Sequence, residues 1–459
     1  MLVTENRTVP DRAVWPVTTS ARPGGDVSVG GVGLAGLAER FGTPLHVVDE
    51  EDVRGRCRAF RGAFHDADVA YAGKAFLCRA MAGWIAEEGL SLDVCSAGEL
   101  AVARAAGFPP ERVLMHGNAK TPEDLRAALA YGVGRVVVDS FHEITKLAAL
   151  ATAGARPRLL VRVTPGVDGR THAAMTTGTD DQKFGFPLSS GAAAEAVRRV
   201  LGQRGLDLVG LHCHIGSQIT DLDVFDQAAR RMVALLAAIR DEHGATPPNL
   251  DLGGGFGVAY RAGDPELNPA QLADRLRRTV RSACAEHRLP VPRLTIEPGR
   301  AIAAHAGVTV YRVVSVKHTP GALLVAVNGG MSDNPRPSLY GARYSVRLIG
   351  RRGAGGDRAA SVVGRHCEAG DVLVPDARLP RRRPPRGPAG DALHRRVPPL
   401  DGLELQPRPA APGGRRPRGP RPAPGPPRDR RGPPRPRRRL KAPGLARIRC
   451  MAVDFANDR

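Results

Sequence analysis

The stretch SLDVCSAGELAVARAAG, residues 91–107, reads as a short apolar strand running directly into an alanine-rich amphipathic helix. The same pairing recurs outward in both directions. PLHVVD (44–49) precedes a charged helix-like segment, RVLMHG (112–117) precedes TPEDLRAALAYG (121–132), and RVVVDS (135–140) precedes FHEITKLAALATAG (141–154). LLVRVTP (159–165), DLVGLHCHIGS (207–217), NLDLGGGFG (249–257) and LTIEPGR (294–300) continue the series. Strand followed by helix, repeated this often, specifies a parallel sheet, and the count approaches the eight units of a closed barrel. The expected fold is α/β, a (β/α)8 TIM-like barrel over residues 34–310.

Past residue 310 the rhythm changes. VTVYRVVSVKH (308–318), ALLVAVNGG (322–330), SVRLIG (345–350), ASVVGRHC (360–367) and DVLVPD (371–376) are short alternating strands without helices between them. They predict an antiparallel β domain over 311–380, to which the N-terminal segment, residues 1–33, is expected to add a strand. From residue 381 to 459 periodicity stops. This tail holds 22 Lys+Arg against 6 Asp+Glu, and 18 of the 40 prolines. It cannot bury enough apolar surface to offset its chain entropy, and disorder is expected. Of the formal net charge of +21, the tail carries +16, so the preceding chain has an ordinary charge for a soluble enzyme with an anionic ligand. A positive tail attracts phosphate backbones, but its single aromatic, Phe455, offers no series of stacking platforms, and nucleic-acid binding is not expected.

The seven cysteines are scattered and odd in number, which argues against a disulfide framework or a zinc site and for a reducing cytoplasm. The N-terminus has no apolar signal-peptide core, and no uninterrupted apolar stretch is long enough to span a bilayer.

Four runs carry chemistry: YAGKAF (71–76), HCHIGSQ (212–218), GGGFG (253–257) and EPGR (297–300). Lys74 follows an apolar strand, where a partly desolvated amine can hold an aldehyde; a solvated lysine at a strand end is the plain alternative. Alternation sends His212 and His214 to one side of a strand. A metal pair is one reading, but no third ligand accompanies it, and a backbone-satisfied core histidine is another for His212. The His214 ring, beside the turn, could stack on a flat cofactor while Ser217 reaches a phosphate. Gly253, Gly254 and Gly255 lack Cβ atoms, so backbone amides there can close on phosphate oxygens, although a Gly-rich turn alone is often only a turn. Glu297 emerges at a strand end, where a carboxylate could keep a pyridine nitrogen protonated, or could simply be a surface charge. Arg300 suits phosphate or a substrate carboxylate equally. Two later runs, DNPRPSLYGARY (333–344) and RHCEAGDVL (365–373), offer Arg336, Tyr340, Cys367 and Glu368. An amine, a flat ring, amides for a phosphate and a carboxylate for a ring nitrogen are together what pyridoxal 5'-phosphate requires.

Residues 30–380 resemble the diaminopimelate decarboxylases, of the alanine racemase-like class (fold type III) of pyridoxal phosphate enzymes. The matching text is YAGKAF, DVCSAGEL, HGNAKT, THAAMTTGTDDQKFGF, HCHIGSQI, GGGFG, EPGR, DNPRPSLY and CEAGD. CEAGD and RPSLY favour this branch over ornithine or arginine decarboxylases. The resemblance implies a barrel plus β domain acting as a head-to-tail homodimer that converts meso-2,6-diaminopimelate to L-lysine, the last step of lysine biosynthesis. It implies Lys74 on the cofactor aldehyde, His214 on its ring, and its phosphate against Ser217, Gly255 and the EPGR segment, which includes Gly299. It places Glu297 at the pyridine nitrogen. Arg300, Arg336, Tyr340 and Glu368 would hold the distal end of the substrate, and Cys367 of a neighbouring subunit would protonate the carbanion. Another basic amino-acid decarboxylase of this fold, or an inactive barrel with a nucleic-acid-binding tail, are the alternatives.

The resemblance fails after the CEAGD strand, where family members continue with a GAYxxSMASNYN segment whose tyrosine touches cofactor and substrate. Codons can be chosen for Arg381 to Arg408 whose reading from the second base gives ADVRPADLLAMPCTGAYHHSMASNYNR. The tail therefore has the form of a frame-shifted translation beginning near Arg381, and a chain lacking this segment is expected to fold, dimerise and turn over poorly.

Overall fold

The computed structural model describes residues 13–151, 156–169, 177–350, 357–380 and 450–453. Eight strands form its centre: β1 Asp68–Ala72, β2 Ser91–Val94, β3 Val113–Met115, β4 Arg135–Val138, β5 Arg158–Thr164, β6 Asp207–Cys213, β7 Asn249–Asp251 and β8 Arg293–Ile296. Each pairs parallel with the next, and β8 pairs back onto β1, so the sheet closes into a barrel. The helices that follow these strands are α1 Arg79–Glu87, α2 Ala97–Ala105, α3 Pro122–Tyr131, α4 Phe141–Leu150, α5 Ala192–Leu201, α6 Leu222–His243, α7 Pro269–Glu286 and the single turn α8 Arg300–Ala303.

Strand alternation sorts the side chains into two layers. Val136, Val138, Leu159 and Val161 join the large core between strands and helices, whereas Val137 and Leu160 form a separate cluster with Val209. That is the period-2 division between the outer and inner faces of a barrel. Several helices start abruptly after their strands because polar side chains cap them. Ser96 Oγ accepts the Glu99 N–H (3.2 Å) while the Glu99 carboxylate accepts the Cys95 N–H (2.6 Å). Thr121 and Asp124 form a reciprocal capping box, and Ser140 Oγ accepts the Glu143 N–H. These tight reversals hold the loops at the carboxyl ends of β2, β3 and β4.

At the opposite end Arg135, on β4, donates to Asp68 of β1 and to Thr295 Oγ1 of β8 (3.1 Å). It crosses the barrel floor, because β4 lies opposite β8 in the ring.

The β region after residue 310 contains a four-stranded sheet in the order Val313–His318, Leu323–Val327, Asp357–Val363, Val372–Pro380. The first and last pairings are antiparallel, as expected. The middle one is parallel, because the chain crosses over through residues 328–356 before Asp357. Its core is Val325, Val327, Ala360, Val362, Leu373, Val374 and Ala377.

Of the segment 1–33, expected to add a strand to that sheet, residues 1–12 lie outside the described residues, and the strands described in the remainder pair elsewhere. Ser20–Ala21, Val27–Val29 and Val32–Gly33 pair with one another instead, turned by Gly30 and Gly31, both at positive φ. The strand Leu45–Asp49 meets Gly307–Val310, antiparallel, on one edge. On its other edge it pairs with the backbone of Cys450–Val453. That apolar CMAV run corrects the expectation of disorder for those four residues; 381–449 and 454–459, with most of the segment expected to be frame-shifted, lie outside the described residues.

The loop carrying HGNAKT is tied down by a buried ion pair. Lys120 Nζ, fully buried, donates to the carbonyls of Gly117 (2.5 Å) and Val137 (2.7 Å) and lies 2.8 Å from Glu143. Lys120→Met leaves the Glu143 carboxylate buried without its cation, so stability measured by urea unfolding falls by about 3 kcal/mol; an unchanged midpoint would contradict the pairing.

Candidate active site

The carboxyl ends of the barrel strands open into a cleft of about 1340 Å³ that extends to the β region. Lys74, in the turn Gly73–Ala75 after β1, projects into it and is exposed to it. His214, Ser217, Gly255, Glu297, Gly299, Arg300, Arg336 and Tyr340 line the same cleft. Gly253 and Gly254 support it from behind. Cys367 and Glu368 do not line it: Cys367 is exposed, in a loop closed by His366 and Asp371 (2.7 Å). The run THAAMTTGTDDQKFGF is described only from Thr177 onward.

Glu297 is the buried charge of the site. Its carboxylate lies 2.8 Å from His116 Nε2 and 3.4 Å from His212 Nε2. The His116 contact is out of line for a hydrogen bond, which leaves Glu297 Oε1 without a hydrogen-bond partner among the described residues. Burial alone would raise its proton affinity, but the two imidazoles outweigh that and hold the carboxyl well below its usual range. Asp93 and Asp251 go the other way: burial, with the Glu297 charge nearby, lifts both well above the usual range. Three carboxyls thus share the barrel end, and one stays ionised.

Among the described residues, donor atoms of His116, His212, Asp251 and Glu297 lie within 4.8 Å of one another, a grouping that includes His212 but not His214, the other member of the pair read from the sequence. All four are buried, and the two rings meet edge to face at 4.9 Å. His212 has Glu297 as its partner, not backbone.

The Gly-rich turn is built by close approach. Gly253 and Gly255 have φ of 68° and 93°, and a Cβ on Gly254 or Gly255 would overlap the carbonyl oxygen of Glu297 or Gly216. Asp251 accepts the Gly253 N–H (2.9 Å), and His214 Nδ1 accepts the Gly254 N–H (3.2 Å). The second bond makes Nδ1 an acceptor. Burial, with Lys74 and Arg162 nearby, holds the His214 imidazole neutral, well below its ordinary titration range.

Arg300 donates to Ser217 Oγ (3.0 Å) and to the Tyr260 hydroxyl. The guanidiniums of Arg300 and Arg336 lie 6.0 and 5.6 Å from the Tyr260 ring centre, and Arg336 also donates to the Tyr344 hydroxyl (3.1 Å). Asp93, His116, Arg162, Tyr260 and Tyr344 all line the cleft and were given no role from the sequence. Asp93 and His116 stand at or just after strand ends, a signal that could have found them. The two tyrosines sit in loops with no such signal.

His116 is pushed down to about 4, chiefly by burial, with Glu297 opposing. An unfolded imidazole takes its proton near 6.5, so between about pH 6.5 and 4 the unfolded chain binds more protons and stability falls as pH falls. Glu297, depressed in the fold, adds to the loss below its ordinary range. Asp93 and Asp251, raised in the fold, act in the opposite sense over the same range, so the His116 contribution is read as a difference: from pH 7 to 4.5 the unfolding midpoint of the native chain should drop relative to that of His116→Gln, and parallel profiles would exclude this account.

Residues 50–304 match the family model described as the pyridoxal-binding domain of pyridoxal-dependent decarboxylases. The diaminopimelate decarboxylase of Actinosynnema pretiosum subsp. auranticum is 58% identical over 372 residues, covering 81% of this chain and 83% of that protein. That of Mycobacterium bovis is 48% identical over 378 residues, covering 80% and 85%. The crystal structure of diaminopimelate decarboxylase from M. jannaschii with L-lysine superposes with a TM-score of 0.74 at 30% identity, covering 80% of this chain and 85% of that one. With a closed barrel, a lysine and a buried carboxylate facing one cleft, and this similarity over four-fifths of its length, the chain belongs to the diaminopimelate decarboxylases, within the pyridoxal-dependent decarboxylase family.

Proposed function

We propose that the chain decarboxylates meso-2,6-diaminopimelate at its D-centre, releasing carbon dioxide and L-lysine as the last step of lysine biosynthesis. The observation that carries this reading is the convergence of Lys74, Glu297, the glycine turn and two arginines on one cleft. The residues fit pyridoxal 5'-phosphate: Glu297 Oε1 is a buried acceptor in want of a donor, and the turn at Gly253 to Gly255 leaves no room for side chains. When bound, the cofactor supplies an electron sink for the pair left as the substrate carboxylate departs.

The chain's own groups do the rest. Lys74 would hold the cofactor aldehyde. Glu297, kept ionised by His116 and His212, would hold a proton on the pyridine nitrogen. His214 would lie against the ring, neutral, adding no competing charge. Ser217, Gly253, Gly254, Gly255, Gly299 and Arg300 form the phosphate end, and Arg300, Arg336 and Tyr340 take the distal amino-acid head of the substrate. Cys367 and Glu368 act from a second copy, Glu368 on the substrate and Cys367 as proton donor, in a homodimer with shared sites. Among the described residues six cysteines are unpaired, which supports a reducing cytoplasm. Among the described residues no helix is long and apolar enough to cross a membrane.

Borohydride reduction with pyridoxal phosphate, followed by peptide mass analysis, should label Lys74, and Lys74→Ala should abolish lysine formation. Arg336→Ala should raise KM for diaminopimelate by about tenfold or more. Ornithine should turn over poorly; efficient ornithine decarboxylation would overturn the substrate assignment.

The tail from about Arg381 is proposed to be a frame-shifted translation. Nucleotide sequencing should find GAYHHSMASNYN in the adjacent frame, and the restored chain should exceed this one in turnover. In the restored background, mixing inactive Lys74→Ala and Cys367→Ala chains should recover activity if sites are shared.

A further inference from the structure

The cleft above occupies one end of the barrel. At the other end lies a second cavity of about 300 Å³, lined in part by Asp68, Ser91, Arg135, Arg158, Asn249 and Arg293. Each of these is the first residue of its strand, so six strands aim their starts at one place. Arg112, immediately before β3, and Glu111 complete the charges, giving four arginines against two carboxylates.

The carboxylates do not balance the arginines locally. Asp68 is already engaged by Arg135 and by Ser91 Oγ (2.7 Å). Among the described residues, Arg158 and Arg293 have no carboxylate partner, and both are exposed to solvent. Arg112 spends one amino group on the carbonyls of Ala86 and Leu90, while its buried Nε has no partner. Burial, with Arg61 adding, weakens the hold of Arg112 on its proton despite Asp68 and Glu111. A desolvated cation short of negative neighbours behaves in this way. Nothing in the decarboxylation uses this end of the barrel.

We propose that this cavity binds one compact multivalent oxyanion, of the phosphate or small polycarboxylate class, between Arg112, Arg158 and Arg293. Guanidinium forks match such oxygens two at a time, and the volume stands at the lower limit of ligand pockets, which suits a small ion better than a nucleotide. Arg158 lies on β5 and Arg293 on β8, strands that do not pair, so the anion bridges them much as Arg135 bridges β4 to β1 and β8. Because the unfolded chain has no such site, the bound ion stabilises the barrel in proportion to its concentration.

The test uses full-length protein saturated with pyridoxal phosphate, so that the cofactor's phosphate site is filled. Melting is followed in phosphate and in citrate against chloride at matched ionic strength. A saturable rise, about 3 °C at ten times the dissociation constant, supports the proposal, and the more effective anion identifies the ligand class. Arg158→Gln/Arg293→Gln should lose the rise while keeping the decarboxylation rate, because neither residue touches the cleft. The single variants, at exposed positions, should each bind about tenfold more weakly by calorimetry. The basic tail is intact in every variant, so a full response in the double variant would place the anions there and overturn the proposal. An absent response to both anions in the native chain would overturn it as well.

Discussion

A single negative charge, on Glu297, has to survive in the driest part of the barrel mouth, and much of the surrounding architecture follows from that requirement. Burial favours the neutral form of every carboxyl there. Asp93 and Asp251 yield to it, while Glu297 does not, because His116 and His212 stand on either side. The five residues come from β2, the end of β3, β6, β7 and β8, so no local segment could assemble them. Closure of the sheet creates the pairing, and the pairing gives the cleft its one buried anion.

The glycine turn and this anion are a single construction. Gly254 packs so closely on the Glu297 carbonyl that any side chain would push the two apart, and the Glu297 N–H donates to the Gly253 carbonyl (2.8 Å). Asp251, whose proton affinity is raised by burial and by the Glu297 charge, fixes the same turn through the Gly253 N–H. Displacing the glycine turn therefore displaces Glu297 too.

The barrel was legible in the chain because strand and helix periodicities alternate in short, clean blocks such as SLDV followed by AGELAVARAAG. Lys74, His214, Glu297 and the glycines were legible because each follows a strand. His116 and Asp93 were harder: their importance lies in what they touch across the barrel, and HGNAKT and DVCSAGEL show only that a strand has ended. Tyr260 and Tyr344 owe their place to packing between the barrel loops and the β region, contacts between residues far apart in sequence. The parallel pairing within the β region was missed because alternation reports exposure of faces and carries no direction.

Cys367 and Glu368 pose a geometric question that the single chain answers. Their loop is fastened by Asp371, almost fully buried, whose carboxylate accepts the backbone N–H groups of Met331 (2.6 Å) and His366 (2.8 Å) and contacts the His366 ring. Burial works against that carboxylate, but the donors hold it ionised below its usual range. Held through Met331 and His366, the loop keeps Cys367 and Glu368 exposed at the edge of the β region, outside the lining of the cleft. The strand Val313–His318, at the edge of the sheet of the β region, is exposed along its whole length, with Val314 and Val316 more than half open to solvent. Apolar side chains on an uncovered edge strand favour indiscriminate pairing over a specific partner.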